Sequence, residues 1–202
     1  MTVAIALIAA YVVGSVNFAL FVGRMHGVDI RQEGSGNPGM SNVLRTIGKM
    51  PAAMVLVGDT LKGVIGAYMG AVAGGMGTSL PATGLSHWAF AGGLAAVIGH
   101  CYPVFHKFKG GKGVATGLGT LIFTVPLVAL IDTVVWAVTT RVTKVASIAS
   151  LLVVVITIPL ALWRGVEGLS LLWMVLTIAL VVWRHKGNIV RMVKGREQKV
   201  IA

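Results

Sequence analysis

The sequence predicts an all-α membrane protein, a polytopic bundle of about seven transmembrane helices built as one domain over residues 1–202. Hydrophobic residues make up 56% of the chain and charged residues only 11%, whereas a soluble domain carries about 25% charged residues. The mean hydropathy is +0.87. The 27 glycines fit helices that approach one another closely in lipid. These observations favour a multi-pass membrane protein over a soluble one.

A spanning helix needs about 20 mainly apolar residues, and the chain offers such stretches in order. The predicted spans are residues 2–23, 51–75, 87–105, two segments within 114–142, 145–163 and 169–183. Residues 2–23 lack a basic n-region, so we expect a retained first span rather than a signal peptide. Residues 76–86 read as an uncharged loop, and residues 184–202 as a basic tail.

The region from residue 114 to residue 142 allows two interpretations. It could form one long span, or two helices that turn near Asp132, and Pro126 could begin a return helix. The positive-inside rule helps to decide between them. With seven spans and the N-terminus outside, Arg141, Lys144 and the tail all lie inside, and Arg164 is the only basic loop residue that lies outside. We therefore predict seven spans, an outer N-terminus and a cytoplasmic C-terminus.

The net charge of +11 is concentrated in the loops that this topology places in the cytosol. Nucleic acid would explain a basic patch on a soluble surface, but not one confined to membrane loops. Anionic headgroups or anionic substrates explain it better, although the positive-inside bias accounts for much of the charge. We expect no nucleic-acid partner, and we expect any site to face the cytosol.

Residues 99–119, GHCYPVFHKFKGGKGVATGLG, interleave lysine with glycine at a predicted membrane boundary. Glycine lets a backbone N–H approach a phosphate closely, so this pattern predicts an anion cradle. A positive-inside loop would explain the lysines but not the glycines between them. No Ser or Thr follows Lys112 directly, so the segment is not a P-loop. The residues concerned are Lys107, Lys109, Gly110, Gly111, Lys112 and Gly113.

Residues 34–45, GSGNPGMSNVLR, form another glycine-rich segment, which is the first of the two in chain order. Its serines and asparagines supply neutral hydrogen-bonding groups, and Arg45 supplies a bidentate, permanently charged fork that suits phosphate. The alternative is a flexible turn with capping residues for a helix that starts near Ser41. The candidate binding residues are Gly34, Ser35, Gly36, Asn37, Gly39, Ser41, Asn42 and Arg45.

Two further pairs lie in or beside predicted spans. Asp59 and Lys62 share a helix face at i and i+3; they could form a structural ion pair, or Lys62 could reach an anion at the interface. Ser147 and Ser150 open the span after Lys144, where serine commonly caps a helix and where a helix N-terminus can also bind an anion.

His185, Asn188 and Glu197 follow the last span and could belong to a site or to an interfacial helix held by anionic lipid. No His, Cys, Asp or Glu cluster has metal-ligand spacing, so we predict no metal and no cofactor. The chain has no G-x-S-x-G elbow and few acidic residues, which leaves little for a serine hydrolase triad. Cys101 is the single cysteine and cannot form an intramolecular disulfide.

Taken in order, these blocks resemble the bacterial acyl-phosphate:glycerol-3-phosphate acyltransferase family, PlsY. The matching blocks are residues 34–45, 59–63, 99–119, 147–150 and 185–197, spread over almost the whole chain. The chain departs from the family pattern at Pro38, Met40, Ser41, Gly66 and Tyr102. Each block is weak alone, but five in order within this hydropathy pattern are specific.

The resemblance implies the reaction. A long-chain acyl group would move from acyl phosphate to the 1-hydroxyl of sn-glycerol 3-phosphate, giving lysophosphatidic acid and phosphate, the first step of bacterial phospholipid synthesis. It implies a multi-pass protein of the bacterial cytoplasmic membrane, in contact with membrane lipid and supplied by a soluble enzyme that produces acyl phosphate. The competing class is a transporter of small anionic metabolites, although the polar residues gather on one face rather than at the membrane midplane.

The resemblance also suggests residue roles. We expect Ser35, Arg45, Lys109, His185 and Asn188 to hold glycerol phosphate, with a substrate phosphate as the general base. Ser35 as a covalent nucleophile is the less favoured alternative. The arc 36–42 and Ser147 would hold the acyl phosphate. The full set of expected substrate-binding residues is Gly34, Gly36, Asn37, Gly39, Ser41, Asn42, Lys62, Gly110, Gly111, Lys112, Ser147 and Glu197.

Overall fold

The computed structural model describes residues 2–75 and 86–200, and every regular element within them is helical. The predicted all-α, multi-pass fold is confirmed. The uncharged loop predicted at residues 76–86 lies outside the described residues except for Ser86. The α-helices are α1 (Val3–Gly14), α2 (Phe18–Met25), α3 (Met40–Thr46), α4 (Lys49–Ala73), α5 (His87–Cys101), α6 (Val114–Thr124), α7 (Pro126–Thr143), α8 (Ala146–Trp163), α9 (Gly168–Arg184) and α10 (Lys186–Val193).

Five stretches of the described chain are long and apolar enough to cross a membrane, and a sixth is reached if α9 and α10 count as one span bent by 52°. The five are Val3–Met25, Lys49–Ala73, His87–His106, Pro126–Thr143 and Ala146–Trp163. The remaining predicted span corresponds to α6. Its 11 residues cover about 16 Å at 1.5 Å per residue, which is about half a hydrocarbon core. The count of seven and the outer N-terminus remain predictions.

The ambiguous region forms two helices. Val125 separates α6 from α7, and Pro126 is the first residue of α7 as the sequence suggested. Proline suits this position because the first helical N–H has no intrahelical partner. The interpretation with a turn near Asp132 is wrong, since Asp132 lies buried inside α7.

The first predicted span is interrupted between α1 and α2. Asn17 caps α2, with its side-chain oxygen accepting a hydrogen bond from Leu20 N at 3.0 Å. The Lys62 ammonium donates to the carbonyl of Val16 at 2.8 Å. A carbonyl in lipid needs such a partner, because no water is present to replace the broken helical hydrogen bond.

Lys62 is also held by Asp59, at 2.8 Å, and both side chains are about 3% exposed. His100 Nδ1 lies 3.5 Å from the same Asp59 oxygen. Of the two interpretations offered for this pair, the structure contains the ion pair. Through its contacts with Asp59 and the Val16 carbonyl, Lys62 connects α4 to the break in the first span.

The core depends on close helix contacts. Helix α4 packs against α1, α2, α3, α5 and α6. A Cβ on Gly63 would lie 1.9 Å from the Thr116 carbonyl oxygen, and one on Gly119 would lie 1.9 Å from the Thr60 carbonyl oxygen. Helices α4 and α6 can approach this closely only because both faces carry glycine. The predicted use of glycine in helix packing is confirmed here.

Candidate active site

A cavity of about 240 Å³ opens between the loops, the tail and the helix bundle. Its polar lining consists mainly of Ser35, Asn37, Ser41, Asn42, Arg45, Lys112, Ser147, His185, Asn188, Arg191 and Glu197. Its apolar lining includes Leu121, Trp136, Val153, Val154, Met174, Ile178 and Val181. Ser147 lies in the first turn of α8, and Val153 and Val154 lie about two turns deeper. The apolar arm therefore extends from the loop end into the bundle.

The structure brings most predicted site residues to this cavity. Those that line it are Ser35, Asn37, Gly39, Ser41, Asn42, Arg45, Lys112, Ser147, His185, Asn188 and Glu197. Those that do not are Gly34, Gly36, Lys62, Lys109, Gly110 and Gly111. The residues that line the cavity can contact a substrate, whereas the others shape or support its wall.

Asn42 organises the first glycine-rich segment. Its side-chain amide donates to the carbonyls of Ile30 and Glu33 at 3.1 and 2.9 Å. Its side-chain oxygen accepts from Ser35 N at 2.9 Å and from Arg45 Nη1 at 3.1 Å. Because Asn42 is 1% exposed and already makes these four bonds, its role is to shape the segment.

The same segment needs glycine for its backbone conformation. Gly34 and Gly36 have φ of +57° and +67°, values that a residue with a Cβ rarely adopts. Helix α3 begins after Gly39, and no side chain caps it. The interpretation of the serines and asparagines here as helix caps is therefore wrong. Ser35 and Asn37 remain at the cavity wall.

Arg45 joins this segment to the tail. Its Nε donates to the Lys199 carbonyl at 3.0 Å, and its Nη1 donates to Asn42. Partial burial lowers the pKa of Arg45, while nearby Glu197 opposes that change. An arginine fixed in this way presents its remaining N–H groups in a defined direction, which suits bidentate binding of phosphate.

The second glycine-rich segment is packed rather than open. Gly110 N donates to the Cys101 carbonyl at 3.2 Å, and Gly111 N donates to the His100 carbonyl at 3.1 Å. Arg184 donates to the carbonyls of Gly111 and Gly110 at 3.0 and 2.8 Å. The expectation of bare N–H groups at these two glycines is wrong, because α5 already uses them.

Lys112 is the lysine of this segment that lines the cavity. Burial lowers the pKa of Lys112 to about 8, with Glu197 opposing the shift and Arg191, Arg184 and Arg45 adding to it. Lys109 is exposed, and its carbonyl accepts a hydrogen bond from Arg31 at 2.9 Å. Of the three lysines in this segment, Lys112 is therefore the one placed to meet an anion in the cavity.

The tail returns to the cavity through Glu197. Its carboxylate accepts hydrogen bonds from Ser147 Oγ at 2.9 Å, from Arg191 Nε at 2.8 Å and from Asn188 Nδ2. Burial alone would raise the pKa of Glu197, but these hydrogen bonds outweigh it and lower the pKa below its usual value. Ser147 thus contacts the tail, and the helix-cap interpretation of this residue is wrong.

Two arginines at the site were treated in the sequence only as part of a basic tail. Arg184 fastens the loop of Gly110 and Gly111 and also lies 5.0 Å over the Tyr102 ring. Arg191 binds Glu197. The i, i+3 spacing of Asn188 and Arg191 on one helix face was the available signal.

The cavity combines three kinds of group: positively charged side chains, neutral hydrogen-bonding side chains and an apolar wall. The guanidinium groups of Arg45 and Arg191 and the ammonium of Lys112 can neutralise more than one anionic group. Ser35, Asn37 and Asn188 can orient such groups. The apolar arm can accept a hydrocarbon chain. An amphiphilic anion and a small polar anion can therefore meet here.

Comparison with known proteins agrees with this chemistry. The family model described as glycerol-3-phosphate acyltransferase matches residues 4–195. A Neisseria meningitidis serogroup C protein named glycerol-3-phosphate acyltransferase is 43% identical over 197 residues, covering 96% of each chain. A Rubrobacter xylanophilus protein of the same name is 40% identical over 204 residues, covering 96% of this chain and 92% of that one.

Two crystal structures of PlsY (YgiH), an integral membrane glycerol 3-phosphate acyltransferase, have the same fold. The glycerol 3-phosphate form has a TM-score of 0.88 and 36% identity, with 98% of this chain and 94% of that chain covered. The lysophosphatidic acid form has a TM-score of 0.87 at the same identity and coverage.

Proposed function

The chain belongs to the glycerol-3-phosphate acyltransferase family and is a multi-pass membrane acyltransferase, and we propose that its acyl donor is a long-chain acyl phosphate. The acceptor is the 1-hydroxyl of sn-glycerol 3-phosphate, and the products are lysophosphatidic acid and inorganic phosphate. The observation that carries the proposal is the union of a cationic end and an apolar arm in one cavity. The whole chain acts as a single catalytic domain.

An acyl phosphate is a mixed anhydride and is already activated. The acceptor hydroxyl attacks the acyl carbonyl, the new C–O ester bond forms, and the bond from the acyl carbon to the phosphate oxygen breaks. The hydroxyl proton passes to a phosphate oxygen, so a substrate phosphate acts as the base. The protein's contribution is to orient two anions and to screen their repulsion, which needs cations and fixed donors rather than a triad.

We assign the glycerol phosphate to Ser35, Arg45, Lys112, His185 and Asn188. Lys112 takes the role that the sequence analysis gave to Lys109, because the Lys112 side chain contributes to the cavity wall. The acyl phosphate lies along Asn37, Gly39 and Ser41, next to Ser147. In this assignment the acyl chain occupies the apolar arm.

A covalent acyl-Ser35 intermediate is not favoured. Within the described residues, Ser35 Oγ accepts one hydrogen bond, from Asn37 N at 3.4 Å, and no base is bonded to it. His185 donates from Nδ1 to the Val181 carbonyl at 2.7 Å, and among the described residues no hydrogen bond joins its other ring nitrogen to Ser35. A nucleophilic serine needs an adjacent base. Trapping a labelled acyl-Ser35 adduct would overturn this assignment.

Single-turnover acyl transfer tests the function. Purified protein receives palmitoyl phosphate and labelled glycerol 3-phosphate with EDTA present, and palmitoyl-CoA replaces the donor in a parallel reaction. We expect lysophosphatidic acid from palmitoyl phosphate alone. Product from palmitoyl-CoA would change the donor class. No product from folded protein, together with uptake of labelled glycerol 3-phosphate into proteoliposomes, would favour a transporter.

We further propose that the protein lies in the bacterial cytoplasmic membrane with its site facing the cytosol, where a soluble enzyme supplies acyl phosphate. The basic loops and tail support this orientation. The one cysteine, Cys101, is buried, so an introduced cysteine can be labelled over a low background. Lys194→Cys should react with an impermeant maleimide in inverted vesicles and not in intact cells; the reverse pattern would refute the orientation.

A further inference from the structure

Asp132 is a carboxyl placed inside a membrane-spanning helix, and the mechanism above does not use it. It lies in α7 and is 5% exposed, and it contributes to the cavity wall. One carboxyl oxygen, Oδ2, is 2.7 Å from the hydroxyl of Thr157 on α8. The other, Oδ1, has no hydrogen-bond partner, and no cation of the described residues forms an ion pair with this carboxyl.

Such a group is costly in a bilayer and usually has a role. Buried polar atoms in proteins are nearly always hydrogen-bonded, so an unpaired carboxyl oxygen in a cavity wall is available to accept a hydrogen bond from a bound molecule. Thr157 also lines the cavity, and it bonds to the Val153 carbonyl at 2.7 Å. Asp132 and Thr157 thus form a polar pair in the cavity wall beside the apolar residues of the arm; the same wall includes Thr133, Ser150 and Thr177.

The position of this spot relative to the cationic end follows from helix α8. Ser147, which binds Glu197, and Thr157 are ten residues apart on this helix, which corresponds to about 15 Å along its axis. An extended hydrocarbon chain advances about 1.3 Å per carbon, so this depth corresponds to roughly twelve carbons.

We propose that Asp132 and Thr157 form a specificity subsite for a hydroxyl group carried by the acyl chain, about twelve carbons from its carbonyl. The inference rests on the proposed function, which places the acyl chain in this arm. A chain hydroxyl can donate to Asp132 Oδ1 and so supply the missing partner. A plain chain makes no such bond, so the hydroxylated chain should bind more tightly by the hydrogen bond that it gains.

Direct binding of two product analogues tests the subsite. The probes are 1-stearoyl and 1-(12-hydroxystearoyl) lysophosphatidic acid, titrated calorimetrically into detergent-solubilised full-length protein. We expect the 12-hydroxy probe to bind about tenfold more tightly. The 3-hydroxy isomer is the matched control, since its hydroxyl lies near the cationic end; it should gain no comparable affinity. Equal affinity of the plain and 12-hydroxy probes overturns the proposal, and so does an equal gain for the 3-hydroxy probe.

Two variants of Asp132 distinguish hydrogen bonding by this side chain from its effect on packing. Asp132→Leu should abolish the tenfold ratio between 12-hydroxy and plain probes, whereas Asp132→Asn should keep most of it because an amide still hydrogen-bonds. An unchanged ratio in Asp132→Leu refutes the role of this residue. If Asp132→Leu does not fold, the wild-type comparison of the 3-hydroxy and 12-hydroxy probes still decides.

Measuring turnover with two acyl phosphate donors tests the proposed function separately from the subsite. Stearoyl phosphate and 12-hydroxystearoyl phosphate are compared as donors, and the hydroxylated donor should have the higher kcat/KM. If neither donor gives product, the assignment of acyl phosphate fails, while the ratio of binding affinities still judges the subsite.

Discussion

The two glycine-rich segments, residues 34–45 and 107–113, have similar compositions but contribute to the cavity in different ways. In the first, Gly34 and Gly36 take positive φ, and the turns that they allow bring side chains such as Ser35 and Arg45 to the cavity wall. In the second, Gly110 and Gly111 make room: a Cβ on each would lie 2.1 Å from an atom of His100. The first segment supplies several binding groups. The second supplies mainly Lys112, and hydrogen bonds to α5 and Arg184 hold its backbone in place.

The comparison predicts that Arg45 is the most sensitive position. Replacing Arg45 by alanine removes a fixed, charged donor in the first segment and should lower kcat/KM about 10³-fold, or about 4 kcal/mol. Arg141→Ala, an exposed basic residue of α7, is the control and should remain near wild type. Steady-state kinetics with palmitoyl phosphate measure both. A loss of less than tenfold for Arg45→Ala would remove this residue from the phosphate site.

Within the second segment, the two lysines should differ. Lys112→Ala should raise KM for glycerol 3-phosphate about 100-fold, because it removes the ammonium at the cavity wall. Lys109→Ala should change KM by no more than a few-fold. If Lys109→Ala has the larger effect, the expectation drawn from the sequence is right and the placement of Lys112 is misleading.

The packing role of the second segment can be tested by Gly111→Ala. A Cβ there would lie 2.1 Å from His100 Nε2 and 3.0 Å from the Pro38 carbonyl oxygen, so both segments must shift. We expect a loss of about 2 kcal/mol in stability, seen as a fall in Tm of several degrees. Gly117→Ala, whose Cβ would meet nothing within 4 Å, is the control. Equal Tm values for the two variants would contradict the support role.

The smallest effect expected is a pH dependence. Because burial lowers the pKa of Lys112 to about 8, the ammonium is charged below that pH and neutral above it. The second ionisation of a phosphate monoester, near pH 6, is complete by then. Affinity for glycerol 3-phosphate should therefore fall about twofold between pH 7 and pH 8, where half of the ammonium is deprotonated, and approach a tenfold fall per unit above pH 8.

Lys112→Arg should flatten this profile between pH 8 and 10, because a guanidinium stays charged over that range. Binding titrations at constant ionic strength measure the profile. A decline that persists unchanged in Lys112→Arg would assign the titration to another group.

Several features of the fold followed directly from the sequence. The apolar stretches predicted the five long apolar helices that could cross a membrane, and Pro126 marked the start of α7, because proline is favoured at the first helical position. The glycines of α4 and α6 predicted close helix packing. The segments around Ser35 and Arg45, and around His185 and Asn188, were identified as site components, and these residues line the cavity. In each case the signal is local: a run of residue types sets the behaviour of its own stretch of chain.

Other features depended on contacts between distant residues. Whether the N–H of Gly111 is free or bonded depends on α5, and whether Lys62 meets an anion depends on Asp59 and on the break at Val16. Glu197 comes to Ser147 across 50 residues of sequence. Composition alone therefore determined that this is a basic, glycine-rich membrane protein with groups suited to anions. Only the tertiary structure decided which of those groups are left for a substrate, because most polar groups buried in the bundle take a hydrogen-bond partner that the fold provides.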